Sequence, residues 1–217
     1  LLAAATILGG LSLFLSATEK PGGLATRPFL GLLAVMFIGM TAKEQAVLLL
    51  PVCILTDLMW NAKGRGLEGS TRFILYGSMT AIVVIQLGLR FMAVGYLTPD
   101  TTAIDYIDNP LIQEPFDIRF INGMGLLAMQ VWLFLWPEVL SIDYSFDAIP
   151  MAQSLSQPAP LAGLVLIAAL ALFGLLRMGR QPFLCWGILF FVGCSAFTAN
   201  ILVPIGTIFG ERLTYVP

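Results

Sequence analysis

The 217-residue sequence contains no histidine and few charged residues. Without histidine, the chain lacks an imidazole base, a Ser-His-Asp triad and a His-ligated zinc site. Lysine, arginine, aspartate and glutamate together make up 11 % of the sequence, whereas soluble domains carry roughly 25 %. So few charges do not cover the water-facing surface of a chain of this length, and a soluble protein is therefore excluded.

Cysteine and clusters of basic residues are also scarce. The three cysteines, Cys53, Cys185 and Cys194, all lie in apolar stretches, where cysteine packs as a small apolar residue. A disulfide scaffold is therefore excluded. The net charge is −2 and no run of basic residues occurs, which argues against a nucleic-acid partner. Glycine-rich phosphate loops and zinc motifs are missing as well.

Apolar residues account for 58 % of the sequence and are grouped into long runs. A membrane-spanning helix needs about 20 such residues, because the hydrocarbon layer is about 30 Å thick and each residue rises about 1.5 Å. The runs predict an all-α, polytopic membrane helical bundle of six to seven segments, forming one transmembrane domain in the lipid bilayer. The predicted helices cover residues 1–16, 28–42, 46–60, 73–97, 120–140, 161–176 and 183–209. Because the sequence begins inside the first run, we expect it to be part of a larger protein.

The run 28–60 is too long for one pass and carries charge near its centre. As one straight helix it would extend roughly 50 Å. Lys43, Glu44 and Gln45 interrupt it, and a charge at mid-membrane costs from about 3 to more than 10 kcal/mol. We therefore predict two short passes, in a thinned bilayer or buried among other helices, with these residues at the turn. They are candidate functional residues, and the alternative is a turn whose charges extend to the lipid headgroups.

The connectors between the runs predict the orientation of the chain. Basic residues concentrate in the connectors 17–27, 61–72 and 177–181. Basic loops of membrane proteins face the cytoplasm, which places loops 98–119 and 141–160 on the outer face. This orientation requires that one segment does not cross, and we expect residues 120–160 to re-enter or to lie at the membrane interface.

The two outer loops contain further candidate residues. Asp108, Asn109 and Pro110 form a turn signal. The functional interpretation is that Asp108 faces a substrate at the membrane surface, but an ordinary loop turn is favoured. Asp143 and Asp147 are four residues apart and would share a helix face, yet a surface pair of carboxylates is again the favoured interpretation.

Charged residues also lie within or beside the spans. Glu211 and Arg212 follow the last run, and the planar guanidinium of Arg212 suits a phosphate, with an interfacial anchor as an equal alternative. Gln86 and Arg90 are four residues apart in one predicted span, so they would line a polar interior. Asp57 lies near the end of a span and is expected at the interface.

Four motifs follow one another in an order typical of a known family. They are T-A-K-E-Q-A-V-L-L-L-P at 41–51 followed by Asp57, D-N-P at 108–110, L-W-P-E-V-L-S-I-D-Y-S-F-D-A-I-P at 135–150, and N-I-L-V-P-I-G-T-I-F-G-E-R-L-T-Y-V-P at 200–217. In this order they resemble the middle membrane part of the transmembrane and tetratricopeptide-repeat O-mannosyltransferases, including a domain of unknown function.

The resemblance implies a C-type membrane glycosyltransferase with its active site on the outer or lumenal face. Such proteins transfer a sugar, usually mannose, from a polyprenyl-phosphate donor to a Ser or Thr hydroxyl of an acceptor protein. The mechanism would be inverting, and neither a metal nor another cofactor is needed. In this family the catalytic acidic residues lie upstream of the segment that matches this chain, so the catalytic residues here are unknown.

The resemblance also implies roles for residues of this chain. Five would be donor-phosphate or polar-site residues: Lys43, Glu44, Gln45, Glu211 and Arg212. Four would be outer-loop residues near the substrate: Asp108, Asn109, Asp143 and Tyr144. Tyr144 and Ile142 follow the family pattern only loosely. Tetratricopeptide repeats would follow Pro217.

Other functions also fit the residues. A transporter or lipid flippase has broken helices and embedded charges too, but it would show an inverted repeat, and none is visible in the sequence. A membrane scaffold that docks partners through its acidic loops is a third possibility. The lack of an Asn-x-Ser/Thr site favours a bacterial inner membrane, with the endoplasmic reticulum membrane as the alternative.

Overall fold

The structure is a computed structural model, and it describes residues 2–19, 23–61, 67–95, 106–137, 141, 144, 148–201 and 204–210. Within these ranges every regular element is a helix. The α-helices are α1 (Leu2–Ala17), α2 (Thr26–Ala42), α3 (Leu49–Asn61), α4 (Gly69–Val94), α5 (Phe116–Leu135), α6 (Pro158–Arg177) and α7 (Pro182–Thr198), with short 3₁₀ helices at Glu44–Leu48 and Pro110–Ile112. The predicted all-α architecture is therefore confirmed.

Three helices, α4, α5 and α6, are long and apolar enough to cross a membrane. Helices α1 and α2 and residues Pro182–Ala196 of α7 are apolar but shorter. Large apolar side chains of α4, among them Phe73, Val84 and Met92, are more than half exposed, which suits contact with lipid tails rather than with water. The chain is an integral membrane protein, as the composition predicts.

The chain divides into two compact units, and the first contains residues 1–97 and 178–186. Its helices α1 and α2 form an antiparallel hairpin whose turn is closed by the amide of Ala25, which donates to the carbonyl of Ala17 at 2.9 Å. The two helices touch closely where Gly39 faces Thr6, because a Cβ on Gly39 would fall on the Thr6 side chain. Small residues commonly allow such close approach between membrane helices.

The helical segment that follows α2 is longer than α3 alone. The 3₁₀ helix Glu44–Leu48 runs directly into α3. Since a 3₁₀ helix rises about 2 Å per residue and an α-helix about 1.5 Å, the two together extend about 30 Å. That length is comparable to a typical hydrocarbon layer of about 30 Å, and the second pass stays a prediction.

The second unit contains residues 98–177 and 187–217, and its main contact is between α5 and α6. Gly163 of α6 lies against the backbone of Met124, where a Cβ would collide with the Met124 carbonyl oxygen. Helix α5 is unbroken from Phe116 to Leu135. A re-entrant turn therefore does not lie within Phe116–Leu135, and the expectation that residues 120–160 re-enter or lie at the membrane interface stays a prediction.

The C-terminal ends of α4 and α7 have different physical causes. Helix α4 stops at Gly95, whose φ of 85° is the left-handed conformation that closes many helices. Helix α7 ends at Thr198, well before the predicted end at residue 209, because Asn200 adopts φ 59° and Pro204 follows. Asparagine tolerates this conformation better than most residues.

Candidate functional site

Lys43 breaks the helical run between α2 and α3. Its backbone is extended, with φ −155° and ψ 122°, while its amide still donates to the Gly39 carbonyl of the last turn of α2 at 2.8 Å. The Lys43 carbonyl then accepts from the amide of Ala46 at 3.0 Å and starts the 3₁₀ helix. The α-helix is therefore interrupted at Lys43, and Glu44 and Gln45 already belong to the 3₁₀ helix.

Glu44, the first residue after the break, forms an ion pair with Arg90 of α4. Its carboxylate Oε1 contacts Nη1 of Arg90. The Glu44 side chain is 68 % exposed, whereas that of Arg90 is 24 % exposed. The Nε of Arg90 is buried without a hydrogen-bond partner among the described residues, so Glu44 leaves part of the guanidinium unsatisfied.

Gln86, one helical turn before Arg90, links α4 to the end of α2 by hydrogen bonds. Its Nε2 donates to the carbonyl of Phe37 at 2.9 Å and to Oγ1 of Thr41 at 2.8 Å. Gln86 and Arg90 therefore lie on one face of α4 that meets the helix break. We call Thr41, Lys43, Glu44, Gln86 and Arg90 the break site.

Lys43 and Gln45 complete the predicted polar triplet. Lys43 is exposed, Gln45 is half-buried, and Lys43 forms no ion pair with any residue that the structure describes. The Lys43 ammonium group is thus a second cation at the break site that Glu44 does not neutralise.

A second ion pair lies at the other end of α4. The Asp57 carboxylate accepts from Arg72 Nε at 2.7 Å and Nη2 at 3.3 Å, from the Tyr76 hydroxyl at 3.1 Å and from the Leu67 amide at 3.4 Å. Asp57 is only 4 % exposed. It lies near a span end as predicted, but it is buried and saturated with donors rather than facing the headgroups.

In the second unit, two asparagines join distant segments. Asn109 is fully buried, and its Oδ1 accepts from the Leu111 amide at 3.0 Å and caps the 3₁₀ helix Pro110–Ile112. Its Nδ2 donates to Asn200 Oδ1 at 3.0 Å and to the Ile205 carbonyl at 2.6 Å. The turn predicted at residues 108–110 is present, and the hydrogen bonds of the buried Asn109 side chain stabilise it.

Asn200 and Asn122 extend this amide network. Asn200 accepts from the Ile205 amide at 2.7 Å and donates to the carbonyls of Thr207 and Ile208 at 3.2 and 2.9 Å. Asn122 of α5 exchanges two hydrogen bonds with the backbone of Ala152, at 2.9 and 2.8 Å. Both residues close irregular loops whose backbone groups would otherwise be buried without partners.

The other outer-loop candidates differ in exposure. Asp108 is exposed, and its carbonyl accepts from the Ile208 amide at 3.1 Å. Tyr144 is buried and packs edge-on against Phe209 with ring centroids 5.1 Å apart, in a cluster with Leu111 and Leu126. Of these residues, Asp108 presents a carboxylate at the surface, and Tyr144 contributes to the core of its unit.

Three predicted candidates, Asp143, Glu211 and Arg212, lie outside the described residues. Sequence reasoning missed the pairing of Arg90 with Glu44 and the roles of Asn122 and Asn200. The polarity of Arg90 inside an apolar run was a usable signal, but a lone asparagine carries none. Among the described residues, no group of three or more His, Cys, Asp or Glu side chains is arranged to hold a metal ion.

Comparisons with known proteins identify relatives of this chain. The model of the family "Protein O-mannosyl-transferase TMTC, DUF1736" matches residues 100–171. Protein O-mannosyl-transferase TMTC3 of Mus musculus is 24 % identical over 95 % of this chain and 25 % of its own length. TMTC1 of Mus musculus is 31 % identical over 51 % of the chain and 12 % of its own length. Tmtc2 of Drosophila melanogaster is 30 % identical over 54 % of the chain and 12 % of its own length.

These matches confirm the family resemblance that the four sequence motifs predict. The chain spans about a quarter of the length of the TMTC3 relatives that it matches. No solved structure matches it.

Proposed function

We propose that this chain, as a relative of the TMTC protein O-mannosyl-transferases, is part of a membrane glycosyltransferase that acts on proteins. The reaction transfers mannose from a polyprenyl-phosphate donor to a Ser or Thr hydroxyl. The observation that carries the proposal is the similarity to TMTC3, which extends over 95 % of the chain and whose name gives the reaction type. The choice of a polyprenyl-phosphate donor is supported by the charged residues of the membrane segments.

A lipid-linked donor presents its phosphate near the membrane surface and its chain in the hydrocarbon. The break site suits that geometry, because Lys43 and Arg90 place two cations where α2 ends. Guanidinium and ammonium groups form strong, charge-assisted hydrogen bonds with phosphate oxygens. Gln45 adjoins this site, and Glu211 and Arg212 remain candidate donor-phosphate residues.

The chemistry of an inverting transfer defines what the whole protein must supply. The acceptor hydroxyl oxygen bonds to C1 of the sugar while the bond from C1 to the phosphate oxygen breaks, and the electron pair of that bond leaves with the lipid phosphate. A carboxylate takes the hydroxyl proton. We assign this base to no residue of the chain. Asp108 and Asp143 are proposed to lie near the substrate, with Asn109 and Tyr144 supporting the loops around it.

The membrane is also part of the proposal. The relatives named above come from animals, which favours the endoplasmic reticulum membrane over the bacterial inner membrane. The active site would then face the lumen. The absence of an Asn-x-Ser/Thr sequence from the chain is compatible with either membrane.

The proposal is tested on the protein expressed from its complete gene and reconstituted in liposomes. We expect label from mannosyl-phosphoryl-polyprenol to appear on a Ser/Thr-rich peptide, with release of polyprenyl phosphate. Lys43→Ala should lower this rate, and Arg27→Ala, a matched loss of charge at the start of α2, should not. Movement of the lipid across the bilayer without any transfer to the peptide would overturn the proposal in favour of a flippase.

A further inference from the structure

We propose that Arg90 is a ligand for a lipid phosphate and that Glu44 occupies the place of this phosphate when no lipid is bound. Binding of the lipid would then break the Glu44–Arg90 pair and leave the anion between Arg90 and Lys43. The identity of the lipid, a polyprenyl phosphate, rests on the proposed function. The anion site itself rests on the geometry of the break site.

The two ion pairs of α4 differ in a way that singles out Arg90. The Arg72–Asp57 pair is saturated, since the Asp57 carboxylate accepts four hydrogen bonds and its side chain is 5 % exposed. The Arg90–Glu44 pair is open, since the Glu44 side chain is 68 % exposed and Arg90 Nε has no partner among the described residues. The saturated pair holds two helices together, whereas the exposed Glu44 can be replaced at the partly exposed guanidinium of Arg90 by another anion.

Glu44 is the partner that can leave. It is the first residue of the 3₁₀ helix, and its long side chain can turn into solvent without any change in the backbone. Exposed ion pairs contribute little to stability, because water and salt screen them. A doubly charged phosphate monoester accepts more hydrogen bonds from a guanidinium than one carboxylate does, since it has three free oxygens.

Arg90 would stay in position after Glu44 leaves. Gln86, on the same face of α4, remains bonded to Phe37 and Thr41 of α2, so α4 stays attached to the helix break. Lys43 is already exposed next to Glu44. Displacement of Glu44 therefore exchanges one anion for another at Arg90, beside the exposed Lys43.

An apolar groove extends to the residue before Lys43. It measures about 250 Å³ and lies between α1 and α2, lined by Leu2, Thr6, Ile38 and Gly39 and ending at Ala42, the residue before Lys43. Its lining is almost entirely apolar, which suits a hydrocarbon chain. We assign this groove to the first isoprene units of the lipid whose phosphate binds Arg90.

The test measures retention of radiolabelled polyprenyl phosphate by the complete protein in phosphatidylcholine nanodiscs. Glu44→Gln should bind about two- to fivefold more tightly, because it removes the competing anion. Arg90→Gln should weaken binding by about tenfold or more. Arg27→Gln, the same charge change at the far end of α2, should leave the affinity unchanged.

The sign of the Glu44→Gln effect decides the proposal. Unchanged or weaker binding of the lipid by Glu44→Gln would overturn the proposal that Glu44 occupies the phosphate site. This result can be interpreted even if Arg90→Gln does not fold. Arg90→Lys provides the second check, since it keeps the charge but not the planar fork. It should bind more weakly than the parent protein, and full affinity would overturn the role of the guanidinium.

Competitors distinguish the sources of the phosphate. Unlabelled polyprenyl phosphate should compete best, phosphatidic acid less well, and inorganic phosphate least, because only the first fits both the cations and the groove. Equal competition by inorganic phosphate would overturn the groove assignment. A protein that transfers mannose normally while Glu44→Gln and Arg90→Gln bind like the parent would refute this inference and leave the proposed function intact. If both variants change lipid binding as expected but the parent protein transfers no mannose, this inference would stand and the proposed function would be overturned.

Discussion

Arg72 and Arg90 lie on one helix, α4, about 27 Å apart along its axis at about 1.5 Å per residue. Each pairs with a carboxylate from the preceding helices, Arg72 with Asp57 and Arg90 with Glu44. Since the hydrocarbon layer is about 30 Å thick, the two ion pairs are spaced to lie at its two edges. The first unit thereby has two differently built ends, one saturated and one open.

The saturated end predicts a loss of stability in Asp57→Asn. The substitution removes the charge that pairs with Arg72 and weakens the hydrogen bonds from Tyr76 and Leu67. We expect the free energy of unfolding in detergent to fall by about 2–3 kcal/mol. Glu19→Gln, a matched change at an exposed carboxylate, should alter it by less than about 0.5 kcal/mol. Equal stability of the two variants would contradict the structural role of Asp57.

The open end predicts that Lys43→Ala separates function from folding. Lys43 is exposed and forms no ion pair with the part of the chain that the structure describes. Its removal should therefore leave the thermal unfolding midpoint unchanged while the rate of mannose transfer falls by about tenfold. Transfer rates and unfolding are measured on the same purified sample. A transfer rate equal to that of the parent protein would remove Lys43 from the site.

Asn109 and Asn200 predict a coupled pair in the second unit. Their side-chain amides are joined by a buried hydrogen bond of 3.0 Å, and both also bond to the backbone around residue 205. In a double-mutant cycle of Asn109→Ala and Asn200→Ala, we expect a coupling free energy of about 1–2 kcal/mol. Additive effects on the unfolding free energy would contradict the pairing. Asn122→Ala offers a control, because its bonds go to Ala152 instead.

Gly163 predicts a steric limit between α5 and α6. A Cβ at this position would collide with the Met124 carbonyl, so the helices must separate in Gly163→Ala. Alanine is the better helix former by up to about 1 kcal/mol, yet we expect a net loss of about 2 kcal/mol or more. Gly187→Ala in α7, where nothing lies within 4 Å, should instead be neutral or stabilising. Unfolding of both variants in detergent distinguishes the two cases.

The sequence predicts the local features of this chain better than the contacts between residues that are distant in sequence. The break at Lys43 was predictable because a charge inside an apolar run is expensive, and the turn at Asn109 was predictable because asparagine before proline favours one. The partner of Arg90 was not, since the pairing with Glu44 depends on how α2 and α4 pack. For the same reason Asp57 was expected at the interface, although Arg72 and Tyr76 of the next helix bury it.

The end of α7 shows a second limit. The apolar run continues to residue 209, and hydrophobicity alone predicts helix to that point. The backbone turns at Asn200 instead, because this side chain satisfies the carbonyls of Thr207 and Ile208 and the amide of Ile205. Such a loop is stabilised by specific hydrogen bonds, which a hydrophobicity pattern does not contain.

The most direct measurement of the central claim compares two sugar donors with the protein expressed from its complete gene. Mannosyl-phosphoryl-polyprenol and a nucleotide-linked mannose are each offered with the same Ser/Thr peptide, and labelled peptide is counted. We predict transfer from the lipid donor alone, with loss of that transfer in Lys43→Ala and retention in Arg27→Ala. Transfer from the nucleotide sugar, or none from the lipid donor, would contradict the account.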